Sequence, residues 1–154
     1  MAIALKPITS RNWRQCVQLS VREEQRHFVA SNAYSIAEAN YETDRVPLAI
    51  YDEDAMVGFL MYGRDPEDGR YWIIRLMVDH NHQGKGYGRA ALRQAIDLIR
   101  SKPDCSDDLS IGFKPDNKVA ETLYTSLGFE IDPSSVTGNP DEEVVARLRL
   151  FDRG

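Results

Sequence analysis

Three things are scarce in this chain, and each scarcity removes a class of explanation. No apolar run approaches the ~20 residues of a membrane span, and the N-terminal stretch stops at Lys6 and Pro7, so a soluble, cytoplasmic protein is expected with no membrane partner. Cysteine is confined to Cys16 and Cys105, too few for a disulfide framework and not in a C-x-x-C pair, so two reduced thiols are expected. Positive charge is in deficit, with 19 Lys and Arg against 24 Asp and Glu, net -5, which argues against nucleic acid and is compatible with a cationic substrate. His80 and His82 have no ligand cluster near them, so no metal is expected. What remains is ordinary: 42% hydrophobic and 28% charged residues over 154 positions describe one globular domain, 1–154, large enough for a single core.

Periodicity divides the chain into a mixed α/β order. "IALKPI" reads as a first strand. Thr9 or Ser10 is placed to cap a helix carrying Trp13, Val17 and Val21 on one face. The polar stretch from Arg22 to Glu42 reads as helical, with Ser35 and Glu38 spaced as a capping box that starts a second helix. "VPLAIY" and "MVGFLMYG" flank the acidic turn "DEDA" as a hairpin. "YWIIRLMVD" is so continuously apolar that burial on both faces is expected. Beyond it Tyr87, Ala91, Ala95 or Ile96, and Ile99 recur at helical spacing until Pro103. "LSIGF" is another strand. A further helix has Asp116 or Asn117 as its N-cap, Ala120, Leu123, Tyr124 and Leu127 on its apolar face, and Gly128 as its left-handed stop. "FEID" and "EEVVARLRLF" close the chain as strands.

Between the apolar strand and its helix lies "HQGKGYGRAAL", His82 to Leu92. Glycines at such a junction let backbone N–H groups converge on an anion at a helix N-terminus. A dinucleotide fingerprint fails because Arg89 stands where the third glycine belongs, and a P-loop fails for lack of G-x-x-x-x-G-K followed by Ser or Thr. Gln83-Gly84-Lys85-Gly86-Tyr87-Gly88 does match the Q/R-x-x-G-x-G/A motif of the GNAT superfamily of N-acetyltransferases. The stretch Asn117-x-x-Ala120-x-x-Leu123-Tyr124-x-x-x-Gly128-Phe129 resembles the later motif of the same family. "EQRHFVASNAYSIAEA" and "EVVARLRL" resemble its bacterial polyamine branch, the spermine/spermidine acetyltransferases.

That resemblance implies a mostly antiparallel sheet whose central strands "YWIIRLMVD" and "LSIGF" run parallel and splay apart around acetyl-coenzyme A. It implies an enzyme moving an acetyl group directly to a primary amine such as spermine or spermidine, in a family that often forms homodimers. Another small amine, a peptide N-terminus, or coenzyme A binding without turnover are the alternatives. Gly84, Gly86 and Gly88 would let the backbone of residues 84–89 approach the pyrophosphate, with Lys85 and Arg89 adding charge and Gln83 and Tyr87 completing the loop. Leu76, Met77 and Val78 would offer backbone to the pantetheine amides as an added strand, with an oxyanion hole at Val78 or Met77. Asn117 and Ala120 would contact the arm of the cofactor.

Tyr124 matches the family's general acid, although a tyrosine at helical spacing also suits plain core packing. An alkylamine with a pKa near 10.4 is almost wholly protonated at pH 7, so a base or water chain is needed. Where some members carry a glutamate on the strand before the loop, this chain has only Arg75, then Asp79, His80 and His82 at its end. Asp79 is therefore the candidate, acting through water. For a cationic acceptor the first half offers Glu24, Tyr34, Glu38 and Tyr41, with Glu23 and Glu42 nearby, and Glu24 is the preferred anchor.

Overall fold

A computed structural model describes residues 1–151. Its order is β1 (Ile3–Pro7), α1 (Trp13–Gln18), α2 (Asn32–Tyr41), β2 (Arg45–Asp52), β3 (Ala55–Arg64), β4 (Tyr71–Val78), α3 (Tyr87–Arg100), β5 (Asp108–Phe113), α4 (Lys118–Ser126), β6 (Glu130–Ile131) and β7 (Val144–Arg149). The seven strands form one sheet in the order β1-β2-β3-β4-β5-β7-β6. Every neighbouring pair is antiparallel except β4 and β5, which are parallel. No helix among the described residues is long and apolar enough to cross a membrane.

The sheet is covered on both faces, as the continuous apolarity of β4 predicts. Ile73 of β4, Ile111 and Phe113 of β5, and Val144 and Ala146 of β7 join Ala91, Ala95 and Ile99 of α3 and Tyr124 of α4 in one cluster. Met77 of β4 and Phe59 and Met61 of β3 join Cys16 of α1 in another, against which Ile36 of α2 packs. The α3 side of the sheet is thus distinct from the α1/α2 side, a division that later decides which groups can meet.

Three sequence expectations about the first half fail for local reasons. The N-cap of α1 is Asn12 and not Thr9 or Ser10; Thr9 instead closes a turn ahead of the helix, its hydroxyl accepting from the Arg11 N–H at 3.2 Å and its own N–H donating to the Asn12 carboxamide oxygen at 2.7 Å. That phase buries Cys16, leaves Trp13 exposed and puts Val21 beyond the helix. Residues 22–30 are not continuous helix but a 3-10 turn, Glu23–Gln25, followed by further turns. Helix α2 starts at Asn32, capped by Ser31, whose hydroxyl accepts from the Tyr34 N–H at 3.1 Å. Ser35 is interior and donates to the Ser31 carbonyl at 3.0 Å, so Glu38 closes no capping box and is free to meet other partners.

Candidate active site

The site begins where the parallel pair fails. Strands β4 and β5 are in register only from Tyr71↔Leu109 to Ile73↔Ile111. Beyond them β4 carries a bulge against β3, Met61 facing Arg75 and Tyr62 facing Ile73 with Ile74 extra. A bulge bends its strand and turns successive side chains to one side. Ile74 and Arg75 therefore both reach the α2 face, Ile74 packing there and Arg75 meeting Glu38 of α2. The strands then diverge, and the opening between them is a cavity of about 990 Å³, at the upper end for a small-molecule site.

One wall is the exposed edge of β4. The Asp79 N–H donates to the Val57 carbonyl at 2.8 Å, so alternation along the strand turns the N–H groups of Val78 and Leu76 toward the split and that of Met77 toward β3. Of the two oxyanion donors expected from the sequence, only Val78 faces the cleft. Its carbonyl accepts from the Gln83 carboxamide at 3.0 Å, and the same Gln83 amide donates to Gln25 at 2.9 Å. The Gln83 side chain thus fastens the loop to the strand and to the segment before α2.

The second wall is the loop entering α3. Gly84 and Gly86 have φ of +80° and +83°, values that cost an L side chain about 1–2 kcal/mol. Gly86 is the N-cap of α3 and offers no side chain to its first turn. The N–H groups at the start of this 14-residue helix consequently lack an internal acceptor and point outward with the dipole behind them. Such free donors at a helix start are suited to an anion, and their arrangement fits a pyrophosphate. The Tyr87 hydroxyl is engaged elsewhere, donating to Asp52 at 2.6 Å and anchoring the loop to the β2–β3 turn. Arg89 lines the cavity and reaches Ser126 at 2.7 Å, whereas Lys85 lies outside the lining.

Helix α4 supplies the third wall. Asn117 is its N-cap, accepting from the Ala120 N–H at 3.2 Å, and both line the cavity. Tyr124, buried between Phe113 and Phe129 with ring centroids 5.8 and 6.0 Å away, has a hydroxyl without a hydrogen bond among the described residues. Burial first, and the charge of Glu143 second, push its pKa well above the usual phenol value. It is an acid that stays protonated and whose hydroxyl is unspent.

The expected base and acceptor anchors do not gather here. Asp79 is 5% exposed, and its two carboxylate oxygens accept from the Ser20 N–H at 3.0 Å and the Asn81 N–H at 3.2 Å. It tethers the end of β4 to the α1 side and is outside the cavity lining. Glu24, Tyr34, Glu38 and Tyr41 are outside it too. Tyr34 and Tyr41 are exposed, and Glu38 lies 3.5 Å from Arg75 and 3.8 Å from Arg45, a half-buried cluster that fixes the Arg75 guanidinium at the cavity wall.

In their place the lining brings, among the described residues, six Lys and Arg side chains (Arg22, Arg26, Arg75, Arg89, Lys114, Lys118) and two carboxylates, Asp116 and Glu143. Asp116 is taken by His27 at 3.0 Å, a contact that ties the segment before α2 to the start of α4 and lowers the Asp116 pKa. Sequence reading missed Glu143, His27 and Arg22. Glu143 comes to the cleft through the β5–β7 register, and Arg22 and His27 through the fold of the turn segment before α2, where His27 meets Asp116. No group of three or more metal-ligating side chains is found among the described residues.

Comparison with known proteins agrees with this geometry. The model of the "Acetyltransferase (GNAT) family" matches residues 8–129. A Bacillus subtilis (strain 168) protein, "Spermine/spermidine N(1)-acetyltransferase", is 29% identical over 138 residues, covering 86% of this chain and 90% of that protein. Its counterpart in Bacillus subtilis subsp. natto, "Probable spermine N(1)-acetyltransferase", aligns equally. Among solved structures, a RimL ribosomal L7/L12 alpha-N-protein acetyltransferase in complex with coenzyme A superposes with a TM-score of 0.76 at 13% identity, over 97% of this chain and 94% of that one. A PaiA N-acetyltransferase from Thermoplasma acidophilum, in complex with coenzyme A, gives 0.71 at 13%, over 97% and 99%. At these identities the superpositions show the fold.

Proposed function

Since this chain belongs to the GNAT family of acetyltransferases, and is an enzyme that uses acetyl-coenzyme A, we propose that its acceptor is a polyamine of the spermine or spermidine type. The supporting observation is the pair of Bacillus subtilis relatives, which align over most of the chain's length. In this reading the first turn of α3, with Gly84, Gly86 and Gly88, holds the pyrophosphate, and Arg89 adds charge. The pantetheine arm lies along the free edge of Leu76 and Val78 toward Asn117 and Ala120. The Val78 N–H stabilises the oxyanion, and Tyr124 gives a proton to the departing sulfur. Neither cysteine carries an acyl group, because Cys16 is buried with its thiol pushed up to about 11 and Cys105 is outside the cavity lining. Transfer is then direct, within a ternary complex. A single 1–154 domain, a cytoplasmic setting and a homodimer belong to the same reading.

One observation favours a second acceptor class. Arg22, Arg26 and Arg75 line the cavity on the side of the segment before α2, and they suit an acceptor carrying a carboxylate, such as an amino acid or peptide, better than a polycation. Thiol release from acetyl-coenzyme A, with product masses, over spermine, spermidine, lysine and a short peptide separates these. The highest kcat/KM for spermine or spermidine is expected. A preference for the carboxylate-bearing amines would transfer the assignment to the second class, and no release with any amine would leave cofactor binding without turnover.

A further inference from the structure

An ammonium acceptor must lose a proton before it can attack, and neither Asp79 nor Glu38 is placed to take it. We propose that Glu143 is the group that receives the acceptor's ammonium and removes its proton, working from the face of the sheet opposite α3. The inference rests on the acetyl-transfer reading and not on the choice of polyamine.

Strand register puts Glu143 there. Gly112 pairs with Val145, and Phe113 with Val144. Phe113 and Val144 belong to the α3/α4 cluster, so alternation sends Gly112, Val145 and, one step before the strand, Glu143 to the α1/α2 face. Arg75 and Met77 face the same side. The Glu143 side chain then folds back over Gly112. A Cβ on Gly112 would stand 2.6 Å from Glu143 Oε2 and 3.3 Å from its Cδ, so the carboxylate occupies the space a side chain there would fill, and any larger residue at 112 would push it off the split strands.

Glu143 is also available. Its carboxylate makes no hydrogen bond or ion pair among the described residues, although it shares the cavity with Arg75 on β4, Lys114 after β5, and Arg26 and His27 of the segment before α2. Lys114 is instead turned to the Asp141 carbonyl at 2.8 Å, Arg75 to Glu38, and His27 to Asp116. Its charge is felt at the Tyr124 hydroxyl, which places base and acid around one volume. The coupling has a useful sign. Burial does most to keep Tyr124 protonated and the Glu143 charge adds to it, so proton transfer to Glu143 removes the smaller contribution and makes Tyr124 a better donor.

The protons balance. Glu143 takes one from the ammonium, and the freed nitrogen pair forms the C–N bond at the thioester carbon. As the intermediate collapses, the C–S electron pair leaves with sulfur, which takes the Tyr124 proton. The second proton on nitrogen restores Tyr124, and the first passes from Glu143 to solvent. One ammonium and one thioester give one amide, one thiol and one proton.

The test is Glu143→Gln, with Gly112→Ala as an independent way to displace the carboxylate. With the best acceptor found for the wild type, kcat/KM at neutral pH should fall by about 100-fold in E143Q and recover with rising pH as the free amine appears. The loss should shrink for glycinamide, a weaker base that needs less help. Calorimetry should give an unchanged acetyl-coenzyme A Kd and a weakened acceptor Kd in the presence of coenzyme A. Equal losses for both amines at every pH, or no loss, would overturn the role of Glu143 while leaving acetyl transfer standing. A wild type that acetylates no amine would overturn both.

Discussion

Gly88 separates what the loop does for the fold from what it does for the ligand. It sits in the first turn of α3 with ordinary helical φ, unlike Gly84 and Gly86. A Cβ there would meet Leu123 Cδ2 at 3.7 Å and Val78 Cγ2 at 3.8 Å, normal van der Waals contacts, so the protein itself accepts alanine. Replacing a helical glycine by alanine gains about 0.5–1 kcal/mol. At 2–4 °C per kcal/mol for a chain this size, Gly88→Ala should raise Tm by roughly 1–4 °C. The same methyl points between β4 and α4, into the channel assigned to the cofactor, and should raise the acetyl-coenzyme A Kd by about tenfold, or 1.4 kcal/mol. Gly84→Ala behaves oppositely in stability. Nothing lies within 4 Å of its Cβ position, so the cost is dihedral strain alone, about 1–2 kcal/mol, and Tm should fall by roughly 2–8 °C. Differential scanning calorimetry and isothermal titration on both variants decide it. A Gly88→Ala protein that is stabilised yet binds acetyl-coenzyme A normally would refute the placement of the donor against this turn.

Tyr124→Phe removes a hydroxyl without a hydrogen-bond partner among the described residues and keeps the ring between Phe113 and Phe129, so stability should stay within about 0.5 kcal/mol while kcat drops by about 100-fold. Because the raised pKa keeps Tyr124 in its acid form, wild-type activity should show no loss from this group up to at least about pH 10, which a pH–rate profile checks. Asp132 is depressed from 3.8 to about 2, first by its hydrogen bond from Arg147. Its contribution is therefore present above pH 3.8 and lost as pH falls through about 2, so Asp132→Asn should flatten the dependence of the urea midpoint over that window. Iodoacetamide should leave Cys16 unmodified in the folded protein, since a thiol pushed up to about 11 offers little thiolate, and peptide mapping would show it.

The loop and the helices beside it were legible because their signals are local. Alternate glycines after an apolar strand, Tyr87, Ala91 and Ile99 at helical spacing, and Asn117 with Gly128 at the two ends of α4 each depend on near neighbours in the chain. The start of α2 was misread because Ser31 and Ser35 are both competent caps. The choice between them fell to packing, which buries Ser35. The proposed acceptor side was not legible at all. Glu143 is about thirty residues from Gly112 in sequence and reaches it only through the β5–β7 register, while Glu38 faces Arg75 only because of the bulge at Ile74. Long-range pairing and its parity decide these contacts, and neither is written in any short stretch.

Direct transfer is the claim on which donor loop, Tyr124 and acceptor face all depend, and the protein incubated with acetyl-coenzyme A alone tests it. Intact mass spectrometry should then show the 17.5 kDa chain unchanged, and initial rates over both substrates should give intersecting reciprocal plots. A chain carrying one acetyl group, released when amine is added, together with parallel plots, would contradict it.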